Sequence, residues 1–310
     1  MKITILAFNF GPAKSFTNGP GMSLYVFCKS LVKHFDIDLF TDISVEITLD
    51  GLKQYSSKDI KSFKRSLKTS DVIHHWSGLT KSLFRLMKMC SDKKVILGPN
   101  LLDCIDLKKE RNYLNQISFH KILSVNDRLK YNIAFNHDIH HQKIETFIVG
   151  PDEDVWQPSG ATDRFILWKG NSKHKVKDIS FALKLKNKLN KYNFNIMGYP
   201  KPYNYLQHID TAKRACLYVN TSISETKSQT LMESWASGVP SVTHPKIYLH
   251  GVNYETGIIT NKTLDDYSEA ITEIMENKIL RNNLSDGAHQ YVKDNLSEKS
   301  LIFYYYSIIK

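Results

Sequence analysis

The densest chemical signal in the chain is Val219-Asn-Thr-Ser-Ile-Ser-Glu225-Thr-Lys-Ser-Gln-Thr-Leu-Met-Glu233-Ser-Trp-Ala-Ser-Gly238-Val-Pro240. It reads as the end of a strand, a polar loop, and a helix over Ser228–Ser237 that stops at Gly-x-Pro. A strand-to-helix turn presents free backbone N–H groups and the positive end of a helix dipole, a ready site for a diphosphate. Glu225 in the loop can reach one end of such a ligand, and Glu233, two helical turns on, can take a diol at the other. Taken alone, the spacing fits two solvated carboxylates better. Asp152-Glu-Asp154 has the pattern of a metal-binding carboxylate pair, and Asp138, His140 and His141 resemble a ligand set. Both read better as polar turns. No P-loop, nucleophile elbow or GxGxxG at the first strand is present, so kinase, hydrolase and dehydrogenase chemistry lack their marks.

The elements that must position these residues alternate between short apolar strands and helical patterns, the signature of parallel βα units. Strands are expected at Ile3–Phe8, Ile37–Phe40, Val72–Trp76, Val95–Gly98 and Lys121–Val125. Between them lie a helix over Gly21–Phe35 with Leu24, Phe27, Cys28 and Leu31 on one face, helices at 58–68 and 80–90, and the segment 106–117. Trp156–Thr162 has a turn-forming composition and is the expected linker. A second series follows: strand Phe165–Trp168, helix 176–191, strands Phe194–Met197 and Cys216–Asn220, the Ser228–Ser237 helix, strand Ser241–Thr243, and helices at 265–276 and 278–294. The expected fold is α/β, two doubly wound Rossmann-like domains with a ligand cleft facing the carboxyl ends of both sheets. Residues 1–155 and 163–295 form these domains, and 296–310 is a terminal helix returning to the first.

In its full context the Glu-x7-Glu segment resembles the signature of family-4-type retaining glycosyltransferases of the GT-B fold. Phe147-Ile-Val-Gly-Pro-Asp-Glu-Asp-Val-Trp156-Gln-Pro158 is similar to that family's segment before the linker. Phe165-Ile-Leu-Trp-Lys-Gly170 with the basic run to Lys177-Asp-Ile is similar to its strand, phosphate loop and helix. Glu255-Thr-Gly257-Ile-Ile and the glycine loop Gly19-Pro-Gly21 fall in the family's order. The resemblance implies that Glu225 sits near the transferred sugar and that Glu233 holds the ribose hydroxyls of a nucleotide. It further implies that the backbone amides of Gln229 and Thr230 contact phosphate, and that Gly19, Gly21 and Gly170 approach the donor. Lys173 and Lys177 would stabilise the departing diphosphate, supplying fixed positive charge where negative charge develops. Neither a metal nor another cofactor is expected, the nucleotide sugar being a co-substrate.

Two departures stand out. The family's His-x-His after the fourth strand, whose second His contacts the sugar, is replaced by His74-His75-Trp76, which makes His74 the expected catalytic histidine, with Trp76 second on the same strand face and His75 opposite. The glycine that commonly follows the first glutamate is Thr226, which implies an altered sugar pocket.

The chain has 310 residues and a formal net charge of +11. Residues 1–150 hold 22 Lys/Arg against 14 Asp/Glu, the rest 20 against 17, and Lys53–Lys94 alone holds 11 against 3. In a GT-B enzyme the first domain binds the acceptor, so the asymmetry implies a polyanionic acceptor or surface. Lys58, Lys61, Lys64 and Arg65 are the expected acceptor contacts, with Trp76 as a stacking partner for a flipped base. DNA bearing a hydroxylated base such as hydroxymethylcytosine, as modified by bacteriophage enzymes, is the leading acceptor. The alternatives are an anionic membrane, docked by Ile60, Phe63 and Leu67 for glycolipid or polysaccharide synthesis, and a non-catalytic nucleic-acid-binding protein. No protein partner is implied. The four cysteines are scattered, with no CxxC and no Cys/His pairing in sequence, so neither disulfides nor a zinc site are expected. With no signal-peptide core and no spanning run, a cytoplasmic protein is expected, in the host cytoplasm if the source is viral.

Overall fold

The computed structural model describes residues 1–11, 19–43, 48–159, 163–171, 173–200, 205–225, 227–247 and 253–310. They divide into two compact units, Met1–Val149 with Leu301–Lys310, and Gly150–Ser300. Each is an α/β unit around one parallel sheet. Thr226 and residues 160–162 of the expected linker lie outside the described residues.

In the first unit seven strands, β1 (Lys2–Ala7), β2 (Asp36–Thr41), β3 (Leu52–Ser56), β4 (Val72–Ser77), β5 (Lys94–Asn100), β6 (Lys121–Ser124) and β7 (Ile144–Thr146), lie in the order β3-β2-β1-β4-β5-β6-β7. Right-handed crossovers require α1 (Gly19–Leu31), which leads from β1 to β2, to lie on the face opposite the helices that lead the other way. Those are α2 (Ile60–Thr69), α3 (Lys81–Met87), α4 (Leu107–Leu114) and α5 (Asp127–His137). The packing agrees: Leu24, Phe27, Cys28 and Leu31 join one core with Ile3, Ile5 and Trp76, while Phe63, Leu83, Tyr113 and Ile133 join another with Leu6 and Phe40. The terminal helix α11 (Glu298–Ile309) contributes Leu301, Tyr305, Ile308 and Ile309 to the α1 side.

The second unit has five strands, β8 (Phe165–Lys169), β9 (Asn193–Met197), β10 (Leu217–Val219), β11 (Ser241–Thr243) and β12 (Gly257–Ile259), in the order β12-β11-β10-β8-β9. Its helices are α6 (Ile179–Lys188), α7 (Tyr205–Arg214), α8 (Gln229–Ala236), α9 (Leu264–Glu276) and α10 (Lys278–Asn295). The strand order reverses between β8 and β10, so the loops leaving these strands part there and open a crevice suited to a ligand.

Several elements differ from expectation. The edge strand β3, LKQYS, has no buried position and so no apolar run to announce it. Helices α5 and α7 and strand β12 were not assigned from sequence. The expected helix 176–191 begins only at Ile179, because Asp178 takes a left-handed conformation (φ 49°) and its carboxylate accepts the N–H of Phe181 as an N-cap. Trp156, expected in the linker, is 1% exposed and packs in the second unit, its ring 5.0 Å from that of His208.

Candidate active site

The site is built at the β8/β10 reversal. After Lys169 the chain turns at Gly170, where a Cβ would lie 2.8 Å from the Trp168 ring and 3.3 Å from Lys177 Cβ, so only glycine lets the loop fold back this closely. The Asn171 side chain accepts the N–H of Lys173 at 3.1 Å, and one 3₁₀ turn over Lys175–Lys177 follows. The loop leaving β10 is stitched to this one. Thr221 Oγ1 accepts the Trp168 indole N–H at 2.8 Å and lies 3.0 and 3.1 Å from the Lys177 and Asp178 carbonyls, while Ile223 N–H donates to Val176 at 2.7 Å.

This stitching brings Lys177 Nζ onto the Glu225 carboxylate, which also accepts the Ser222 hydroxyl at 2.7 Å. The pair is 29% and 11% exposed, open enough to meet a ligand. Next to it starts α8. Its N-cap, Ser228, makes no side-chain capping bond; its carbonyl takes the N–H groups of Leu231 and Met232. The N–H groups of Gln229 and Thr230 have no acceptor among the described residues, and Gln229 Oε1 is buried without a partner. A helix start left in this state attracts an anion through its free N–H groups and dipole.

One turn further along, Glu233 is 1% exposed. Its Oε2 lies 2.8 Å from His208 Nε2 on α7 and 3.4 Å from Lys169 Nζ at the end of β8, and these two nitrogens also adjoin each other. Burial pushes the Lys169 amine down to about 8, against the opposing pull of Glu233. Burial and the Lys169 charge push the His208 imidazole down to about 4. Burial works to raise the Glu233 carboxyl, but the neighbouring Lys169 and His208 outweigh it and hold the group below its usual value. Lys227, just before α8, has its amine pushed down to about 7 by burial, Glu233 partly offsetting this. Burying charge this tightly is costly, and groups perturbed in this way gather at functional sites.

Of the residues expected from sequence, Glu225, Lys177, Gly170, Gln229, Thr230 and Glu233 are therefore gathered around the β8/β10 reversal. Lys173 is exposed on the loop, and no ion pair joins it to Glu225. Gly19 opens α1, and Gly21 lies against the loop after β1, where its carbonyl accepts the Gly11 N–H at 3.0 Å and a Cβ would meet Gly11 O at 2.9 Å. Lys169, His208 and Lys227 were not expected. A lysine ending the apolar run Phe-Ile-Leu-Trp was a legible signal, whereas nothing in the pattern of α7 singles out His208.

His74 and Trp76 require correction. β4 is an inner strand with helices on both faces, and all six of its residues are buried. His74 Nε2–H donates to Gly98 O at 2.7 Å and Nδ1 accepts the Tyr305 hydroxyl at 2.9 Å. Burial pushes this imidazole down to about 3, so it is a neutral core group with both nitrogens occupied and no route to a substrate. His75 is held likewise on the other face, by Gly78 O at 3.0 Å and the Tyr113 hydroxyl at 2.6 Å, and burial pushes it to about 4. Trp76 is 0% exposed, its ring centroid 4.7 Å from that of Phe27, and cannot stack on a base.

Helix α2 resolves the competition between its two faces. Phe63 is fully buried against Phe40, with ring centroids 5.3 Å apart, so this side is core and is not offered to a membrane. Lys58, Lys61, Lys64, Arg65 and Lys68 are exposed, as are Lys81 and Arg85 of α3 and Lys88 at its C-cap, on the same side of the sheet. None of these cations has an ion-pair partner among the described residues. Among the described residues no helix is long and apolar enough to cross a membrane. Asp152 and Asp154 form a turn, the first accepting the N–H of the second at 3.1 Å. Asp138, left-handed at φ 52°, closes α5, and the stacked rings of His140 and His141 lie beyond it.

No protein-family model and no curated protein matches the chain. Solved structures do. Sucrose-phosphate synthase from Thermosynechococcus elongatus superposes with a TM-score of 0.72 at 11% identity, over 99% of this chain and 98% of that one. HepE from Anabaena, in complex with UDP, gives 0.70 at 11% identity over 99% of both chains. The catalytic domain of starch synthase IV from Arabidopsis thaliana, bound to ADP and acarbose, gives 0.72 at 10% identity over 99% and 98%. The fold is GT-B, two Rossmann-like domains in one chain, the fold of these glycosyltransferases.

Proposed function

We propose that the chain is a retaining glycosyltransferase that moves a sugar from a nucleoside-diphosphate sugar to a hydroxyl acceptor. The observation that carries this reading is the Lys177–Glu225 pair set beside an uncapped helix start, with Glu233 held ionised one turn below. A diphosphate seated on the Gln229 and Thr230 amides would draw Lys177 from Glu225, leaving the carboxylate near the sugar. Glu233 faces the ribose, its charge kept in place by Lys169 and His208. HepE, similar in fold, has been solved with UDP and with UDP-glucose.

In the transfer, the bond from the sugar's anomeric carbon to the phosphate oxygen breaks and a bond to the acceptor oxygen forms on the same face. The acceptor proton passes to the departing phosphate oxygen. Charge grows on the diphosphate as the bond breaks, where lysine and the helix dipole stabilise it. The acceptor in this reading is a hydroxylated base in DNA, of the hydroxymethylcytosine type that bacteriophage enzymes modify. What supports it is the unpaired basic surface of α2 and α3, whose apolar side is already buried. A membrane acceptor loses its anchor for the same reason.

The test is a screen of UDP-, GDP- and ADP-sugars with hydroxymethylated and plain DNA, read by mass spectrometry of released nucleosides and NMR of the product anomer. Transfer to hydroxymethylated DNA alone, with configuration retained and EDTA without effect, is expected. Transfer only to lipid acceptors sinks the DNA reading, and an inverted product sinks the mechanism. Absence of both transfer and donor hydrolysis sinks the enzyme.

A further inference from the structure

The first unit brings together three side chains that the sequence keeps apart. Cys104, in the loop between β5 and α4, Glu110 on α4, and His137 at the end of α5 each offer one metal-ligand atom, all within 4.8 Å of one another. Glu110 Oε1 accepts the N–H groups of Asp103 at 3.1 Å and Cys104 at 3.0 Å, and this fixes the loop that carries the thiol. Glu110 Oε2 lies 2.7 Å from His137 Nε2, with the two side chains 2% and 1% exposed. His137 Nδ1 is buried and has no hydrogen-bond partner among the described residues.

A Glu–His pair serving only to hold the loop accounts for the carboxylate and for Nε2. It leaves unexplained a buried imidazole nitrogen with no donor, in a cluster that also holds a thiol. When Nε2–H donates to a carboxylate, Nδ1 keeps its lone pair, and a carboxylate that orients an imidazole in this way is the usual support of a metal-bound histidine. Thiolate and imidazole, with the carboxylate behind the imidazole, form an S/N donor pair that suits a borderline-soft divalent ion of the zinc type, better than magnesium or calcium.

We infer that Cys104 Sγ and His137 Nδ1, with Glu110 orienting the imidazole, form a binding site for one zinc-type divalent ion. The thiol releases its proton to solvent on ligation, and water completes the coordination. The ion ties the β5–α4 loop to the end of α5, apart from the site at the β8/β10 reversal. The inference stands whether or not the chain transfers sugar.

The test uses the reduced full-length chain, freed of metal with EDTA and titrated with Co2+ in place of Zn2+. A near-ultraviolet thiolate-to-cobalt band saturating at about one equivalent is expected, displaced by Zn2+ and missing in Cys104→Ser, with Glu110→Gln weakening Zn2+ about 10–100-fold. No saturable band, or one retained in Cys104→Ser, overturns the inference, because Cys28, Cys90 and Cys216 are buried elsewhere. Circular dichroism checks that each variant folds. If Cys104→Ser does not, maleimide labelling of the unaltered chain takes its place: Zn2+ must slow modification of half-buried Cys104, and an unchanged rate overturns the site.

Discussion

The two sheets reverse their strand order in the same way, yet they treat the polar residues at that point differently. At the β1/β4 reversal, His74 and His75 are neutral, fully buried and satisfied by a carbonyl and a tyrosine hydroxyl each. At the β8/β10 reversal, buried Lys169 is paired with buried Glu233, and Lys177 with Glu225 in a part-exposed ion pair. The first unit instead turns its cations outward on α2 and α3. Neutral hydrogen-bonded groups inside a sheet are cheap to keep, whereas buried ions are costly unless paired and hydrogen-bonded. In the proposed function, donor chemistry falls to the second unit and long-range attraction to the first.

The contrast breaks most visibly at Glu233. Glu233→Ala leaves Lys169 buried without its counter-charge; transfer should fall at least about 100-fold and stability by about 3–5 kcal/mol, read by steady-state kinetics and urea unfolding. Unchanged stability would mean that the cluster is not ionised. Lys177→Ala should cost about 100-fold in turnover while shifting stability by less than about 1 kcal/mol, since the pair is part-exposed. If unfolding moves more than turnover, the pair is structural.

Outward charge is tested by reversing Lys61, Lys64 and Arg65 to Glu. DNA affinity should drop about tenfold or more and the salt dependence flatten by about one ion per lost phosphate contact, with the fold intact. A salt slope that does not move would detach α2 from the acceptor. The last test is of pH. His74 and His75 have folded values of about 3 and about 4, below the ordinary 6.5. Their contribution is full above the unfolded value and is lost as pH falls from 6.5 toward 4, because the unfolded chain then binds more protons. Each should remove at most about 1.4 kcal/mol per pH unit in that window, measured as urea midpoints. His208 in the second unit, at about 4, adds in the same direction. A flat profile between pH 7 and 5 would show that these groups are solvated.

Much of the frame was legible. Leu24, Phe27, Cys28 and Leu31 recur at helical spacing, and all four are buried. Strand Ser241–Thr243 sits where its apolar pattern placed it, and Gly238, at φ 70°, ends α8. Glu225 and Glu233 were visible because loop, helix start and glycine stop are local signals. β3 escaped because an edge strand needs no apolar face. His74 and Trp76 were misjudged because alternation separates two faces of a strand without saying whether both are covered.

The sequence alone determined the alternation of strands and helices, the start and stop of α8, and the concentration of positive charge in Lys53–Lys94, since these depend on residues close together in the chain. Only tertiary structure decided that β4 is closed on both sides, that Lys177 meets Glu225, that His208 and Lys169 hold Glu233, and that Cys104 lies beside His137. Each of these depends on residues far apart in sequence that meet only when crossovers stack helices on a sheet, and periodicity along one segment carries no record of its partner.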